Sequence, residues 1–221
     1  MKIPGLRYVA DVTRPGSVAS SFRRRRFALF QSLIAPLPRP VRILDVGGSP
    51  AFWVRVGFTA DEGVHILVVN KRREGAVIGP NMRQELGDAR QLSYPDQAFD
   101  VVVSNSVIEH VGDFADQARM AQEIRRVGRR YFVQTPNRSF PLEPHFLFPF
   151  FQFLPLEVRA WLLSRFQLGW HPRQEKSAAR ETVRSIRLVT AREMRIFFPG
   201  AKLYRESVLG LTKGFVAYDG W

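Results

Sequence analysis

The run Val41-Arg42-Ile43-Leu44-Asp45-Val46 constrains this chain more than any other segment. It follows the helix-breaking stretch Pro36-Leu37-Pro38-Arg39-Pro40, and its β-branched, apolar character reads as a buried strand. Gly47-Gly48-Ser49-Pro50 then turns the chain, and Pro50 suits the first position of a following helix. Further strands are expected over 65–70, 99–105 and 130–135, the last closed by Pro136-Asn137. Helices are expected between them. Ser17 caps one over 17–33, with Val18, Phe22, Leu29 and Leu33 on one face and Arg23, Arg24, Arg25 and Arg26 in a row. A second is capped by Asp113, carries Phe114, Ala118, Ala121, Ile124 and Val127 on a stripe, and stops at Gly128. Thr190 and Glu193 have capping-box spacing and open a short helix through Phe198. Alternation of this kind specifies a parallel α/β sheet. Two late strands, around 201–208 and 213–218, are joined by a link too short for a parallel crossover, so they run antiparallel and make the sheet mixed at one edge.

At 221 residues the chain is one domain's worth, long enough to bury roughly 70% of its unfolded surface. Cysteine is absent, which excludes disulfides, thiolate zinc sites and a cysteine nucleophile. No apolar run approaches the ~20 residues that span a bilayer, and the N-terminal stretch lacks the apolar core of a secretory signal. A soluble, cytoplasmic protein is the expectation. The net charge of +13 is uneven: residues 1–42 hold nine basic and one acidic side chains, 43–112 six and nine, and 113–221 eighteen and ten. Basic flanks attract RNA, anionic lipid or a phosphorylated substrate, although dispersed arginine is also an ordinary solvated face.

In an open α/β sheet, ligands bind at the carboxyl ends of the strands near the switch point. The polar or glycine-bearing ends here are 45–49, Asn70-Lys71, Gly87-Asp88-Ala89 and 104–110. Ser49 stands where a dinucleotide fingerprint needs its second glycine, and no phosphate-loop G-x-x-x-x-G-K-[ST] occurs. Dehydrogenase and nucleotide triphosphatase functions are thereby disfavoured.

ILDVGGSPAFW, then a strand ending in Asn, then GDARQLSYPDQAFDVVVSNSVIEHV, resembles the class I S-adenosylmethionine-dependent methyltransferases over roughly 41–137. The resemblance implies a Rossmann-like, doubly wound α/β fold. Its sheet would be seven-stranded and mostly parallel, with an antiparallel edge strand and an aromatic-rich insertion after the fifth strand. It implies a single domain over 1–221: a helical extension (1–40), a cofactor core (41–137), a substrate lid (138–180), and a closing helix and strands (181–221). By the same resemblance Asp45, Gly47, Gly48 and Ser49 lie against the methionine part of S-adenosylmethionine, with Ser49 and Ala51 replacing the usual second and third glycines. Asn70, beside Lys71, stands where an acid usually holds the ribose. Asp88 matches the acid that accepts from the adenine amine, and Ala89 supplies the adjacent N–H. Ser104, Asn105 and Ser106 would line the sulfonium end, with the Glu109-His110 pair just beyond.

Methyl transfer from a sulfonium is a direct displacement, so alignment dominates and a base matters only for an acceptor that loses a proton. His110 and His145 are the candidate bases; no metal is expected. The 140–172 segment, with Phe146, Phe148, Phe150, Phe151 and Phe153 broken by Pro149 and Pro155, is expected to follow a non-helical path. It is either a lid over the acceptor or a set of aromatics dipping into a membrane interface. The leading function is methylation of a small apolar or aromatic acceptor, an oxygen nucleophile being favoured. RNA methylation and non-catalytic cofactor binding are the alternatives. The oligomeric state is open.

Overall fold

A computed structural model describes residues 8, 11, 14, 16–58, 63–73, 75 and 79–221. Most of 1–15, where a secretory signal was sought, lies outside the described residues.

Helix α1 (Val18–Ile34) precedes β1 (Val41–Val46), α2 (Pro50–Arg55), β2 (Val64–Asn70), β3 (Met82–Leu86), β4 (Val101–Asn105), α3 (Phe114–Val127) and β5 (Tyr131–Pro136). A two-residue hairpin follows, β6 (Leu142–Glu143) with β7 (Phe148–Pro149). Then come α4 (Leu156–Arg165), α5 (Lys176–Arg184), α6 (Ala191–Phe197), β8 (Lys202–Val208) and β9 (Leu211–Asp219). The seven-stranded sheet runs β3-β2-β1-β4-β5-β9-β8. Strands β1 to β5 are parallel, and β9 lies antiparallel between β5 and β8. The antiparallel strand is therefore one in from the edge. Strand order reverses between β1 and β4, and their carboxyl ends are brought level by the pairing of Asp45 with Val103.

Alternation along the strands divides the core into two layers. Leu44, Val46, Val102 and Val133 face α3 and α6 on one side. Ile43, Ile66, Val101 and Phe132 face α1 and α2 on the other. There Phe30 and Trp53 are buried, and Phe27, Phe30, Phe52 and Phe58 all meet Trp53 edge-on with centroids 5.3–6.4 Å apart. The N-terminal helix thus seals one face of the sheet. Its buried apolar residues are Phe30 and Ile34, with Phe27, Leu29 and Leu33 packed against the same core; of the expected Val18-Phe22-Leu29-Leu33 line, Val18 is exposed and Phe22 turns to a cavity.

The insertion after β5 has its own small core of Phe146, Phe151, Leu163, Leu168, Ala179 and Val183. It contains two α-helices, so the expectation of a non-helical path fails beyond Pro155. That proline occupies the N-cap position of α4, where a missing N–H costs nothing, and opens the helix it was expected to prevent. The insertion continues to 188, since Asn137 and Val189 form the parallel bridge at its neck.

Candidate cofactor and acceptor site

At the reversal of strand order, Asp45, Gly47, Gly48, Ser49 and Asn105 line a cavity of about 200 Å³ with Arg23, Phe52 and Arg55. The glycines are required here. Gly47 has φ +78°, and a Cβ on it would lie 2.4 Å from Val107 Cγ1. A Cβ on Gly48 would lie 1.8 Å from Asp45 Oδ2. Beneath this turn Asp45 is buried and accepts a 2.7 Å hydrogen bond from Trp53 Nε1. Burial pushes its carboxyl up to about 7, against the opposing pull of that bond.

The next two strand ends look inward. Asn70 donates to the carbonyls of Gly47 (3.3 Å) and Gly48 (3.1 Å) and accepts from the Lys71 N–H (2.7 Å), so its amide braces the glycine turn. Asp88 accepts from Arg90 Nη2 (2.6 Å) and Nε (3.0 Å), with Lys71 Nζ at 3.7 Å. Bonding to Arg90, outweighing desolvation, holds the Asp88 carboxyl well below its ordinary range. Ala89 is buried in the core. Both polar side chains expected on the ribose and adenine are thus engaged within the protein, while remaining only partly buried.

At the end of β4, Ser104 is fully buried and its hydroxyl has no partner. Ser106, with φ +56°, donates to Gln134 Oε1 at 2.8 Å. Asn105 accepts from Arg26 Nη1 and borders a second cavity, of about 280 Å³. That cavity is walled by Phe22, Phe140, Leu142, Leu147 and Val208, with Arg23, Arg26, Ser106, Gln134 and Lys213 at its polar side. Arg26 is held bidentate by the buried Glu206 (2.9 and 3.1 Å), which also meets Lys213 Nζ at 3.4 Å. The two cavities share Arg23 and Asn105.

The two histidines come together but line neither cavity. Their rings meet edge-on, centroids 4.9 Å apart. Hairpin-borne Glu143 is buried, bonds His145 Nδ1 at 2.6 Å, and caps the turn through the N–H groups of His145 (2.8 Å) and Phe146 (2.7 Å). Across from them Glu109 is buried, with one oxygen taking the Thr135 hydroxyl at 3.0 Å and the other unpartnered. Glu109, His110 and His145 each offer an atom within 4.8 Å of one another. Burial lowers the His145 pKa, but the bond and charge of Glu143, with Glu109 behind, outweigh it and leave the net shift upward. Burial and the neighbouring His145 push His110 down to about 4. The two imidazoles are therefore shifted in opposite directions, so that His145 keeps its proton to a higher pH than His110, paired with Glu143 inside the hairpin.

A raised folded pKa stabilises below the unfolded value and loses that contribution as pH rises through the folded one. Protection of hairpin amides at 143–151, corrected for intrinsic exchange, should fall as pH rises above about 6.5. Glu143→Gln should flatten that profile; an unchanged profile would show that the charge of the His145–Glu143 pair does not hold the hairpin.

The sequence alone did not single out Phe22, Phe52, Arg55, Gln134 or Lys213 as site residues. The signal for Arg23 and Arg26 was present in the four-arginine row, where a spacing of three puts both on one helical face. The foldwide arrangement is that of a class I methyltransferase: switch point, glycine turn and paired cavities at the carboxyl ends. A family model described as a methyltransferase domain matches residues 20–194, and the chain belongs to that family. A phosphatidylethanolamine N-methyltransferase of Cereibacter sphaeroides is 28% identical over 165 residues, 71% of this chain and 72% of that protein. An uncharacterised protein of Mycobacterium tuberculosis is 33% identical over 133 residues, 53% of this chain; the chain spans 43% of its length. Among solved structures, an S-adenosylmethionine-dependent methyltransferase from Mesorhizobium loti superposes with TM-score 0.52 at 14% identity, covering 86% of this chain and 96% of that one. No helix among the described residues is long and apolar enough to cross a membrane.

Proposed function

We propose that the chain transfers the methyl group of S-adenosylmethionine to a small acceptor with an apolar or aromatic body, through an oxygen nucleophile. The carrying observation is the pair of adjoining cavities: a glycine cradle at the switch point, and an apolar chamber reached past Asn105. The cradle fits the cofactor, since glycine backbone, Phe52 and the buried Asp45 present a close surface where Cβ atoms are excluded. When bound, S-adenosylmethionine supplies a methyl on a positively charged sulfur. The protein's part is then alignment: Phe22, Phe140 and Leu147 orient the acceptor body, and Asn105 and Ser106 sit at the passage.

An oxygen is favoured over an amine because Arg23, Arg26 and Lys213 all line this wall while Glu206 neutralises only Arg26 and Lys213 between them, leaving the wall net positive. Such a wall repels an ammonium and stabilises an alkoxide or phenolate. His110, which burial keeps neutral, and His145, once it has given up its proton, are proposed as proton acceptors on the strength of their place beyond β4 and in the lid. The lipid amine named by the Cereibacter relative is the second acceptor class, supported by Phe150 and Phe153 exposed on the insertion.

The test is transfer of labelled methyl from S-adenosylmethionine to a panel of phenols, aliphatic alcohols, phosphatidylethanolamine vesicles and RNA. Turnover of a phenol or alcohol is expected; turnover of the vesicles alone would overturn the oxygen reading, and turnover of RNA alone would overturn the small acceptor. In the same assay His145→Gln should slow transfer to a phenol by about 10²-fold if it removes the proton, with the cofactor dissociation constant unchanged. Equal rates would remove the histidine from the chemistry.

A further inference from the structure

Of the four consecutive arginines, Arg24 and Arg25 point to solvent, and Arg26 is consumed by Glu206 and Asn105. Arg23 remains. It faces the glycine-turn cavity together with Arg55 of α2. Among the described residues neither guanidinium forms a hydrogen bond or an ion pair with a carboxylate. Arg23 Nη1 is fully screened from solvent and has no partner at all. The charges that act on Arg23 are mostly of its own sign: Arg55 and Arg26 oppose its protonation, after burial itself, and only Asp11 favours it.

Two cations facing one small cavity repel each other, and a buried donor left unbonded costs free energy comparable to a lost hydrogen bond. Both penalties vanish if an anion enters. The fold fixes the helices that carry them regardless, α1 packed on the sheet through Phe27, Phe30 and Ile34 and α2 through Trp53, while the Arg55 side chain itself is exposed. The cavity therefore has the form of a site that its ligand completes. Asp45 does not serve as the counter-charge, because its carboxylate is turned beneath Gly48 and bonded to Trp53.

We infer that Arg23 and Arg55 together hold the α-carboxylate of S-adenosylmethionine, an inference that rests on the proposed cofactor. The carboxylate is the cofactor's one anionic group. Of the cations at the other strand ends, Lys71 and Arg90 are already spent on Asp88, and Arg90 on Asp116 as well. A planar guanidinium matches a carboxylate with two parallel bonds, which explains why arginine rather than lysine stands at both positions. The clamp also gives the first helix a functional reason to be there, since it supplies half of the carboxylate's partners.

Calorimetry with S-adenosylhomocysteine and with its decarboxylated analogue separates this role from a structural one. Against S-adenosylhomocysteine, Arg23→Gln and Arg55→Gln should each weaken binding about 10- to 100-fold. The decarboxylated analogue should bind the wild type weakly, and the two variants should bind it within about twofold of wild type. Arg23→Lys should recover part of the loss. Equal losses with both ligands would mean that the arginines only shape the cavity, and undiminished S-adenosylhomocysteine binding would overturn the clamp outright. Wild-type protein that binds neither ligand at millimolar concentration would overturn the cofactor assignment itself, a result distinct from either.

Discussion

Glu206→Ala should destabilise the fold by about 3–5 kcal/mol, the range for removing one partner from a buried ion pair. The Glu206 side chain has no exposed surface, and it neutralises Arg26 (12% exposed) and Lys213 (26% exposed) together. Its removal takes away the one acid that pairs with both cations among the described residues. Burial already lowers the Lys213 pKa, with Glu206 working against that, so removing the acid should lower it further. Register makes the site tight. Glu206 lies opposite Gly214, where a Cβ would come within 3.1 Å of the carboxylate. Denaturant unfolding of Glu206→Ala and Glu206→Gln checks this. A loss under 1 kcal/mol in both would show that solvent already reaches the pair. A double variant, Glu206→Gln with Arg26→Met, should recover part of the loss by removing the stranded charge.

The second large effect is a pH dependence set by Asp45. Its carboxyl is raised from 3.8 to about 7, so the folded state favours the proton and the unfolded chain gives it up first. The stabilisation is complete below about pH 4, declines as pH rises, and is spent above about 7. At 1.36 kcal/mol per unit, three units amount to about 4 kcal/mol between those limits, as an order of magnitude. Asp45→Asn carries no such proton. Its stability relative to wild type should rise steadily from pH 4 to pH 7 and then level off. Parallel pH profiles for the two proteins, measured by urea unfolding, would show that Asp45 is not buried as an acid.

Much of this architecture was legible in the sequence because its signals are local. Thr190 forms the capping box its spacing with Glu193 announced, Asp113 caps α3 as expected, there in a box with Asp116, and Ser17 caps α1 through the Ser20 N–H. Strand β1 begins and ends where its apolar run does. What escaped depends on distant partners. Phe22 looked like a core residue of α1 because periodicity cannot tell a core from a chamber; it lines the second cavity, with Lys213 Nζ 4.6 Å from its ring centre. Asn70 was located correctly at a strand end, but its partners are carbonyls 22 and 23 positions back, which no strand-end rule supplies. Helix α4 was lost because Pro155 reads as a breaker until its place just ahead of the first turn is known.

Arg26 and Glu206 are 180 positions apart, and Arg26 and Asn105 are 79. Completion of the site is therefore an event of late synthesis. A nascent chain that has emerged through β5 already contains the glycine turn, Asp45 and both arginines of the proposed clamp. Yet Arg26 then lacks the carboxylate that fixes it on Asn105, at the passage between the two chambers. Only when β8 and β9 add to the sheet is that residue set, so capacity to bind the donor should precede capacity to align the acceptor. A protease cut in the Leu209-Gly210 turn would reverse the order, costing alignment first while leaving the donor's cradle intact.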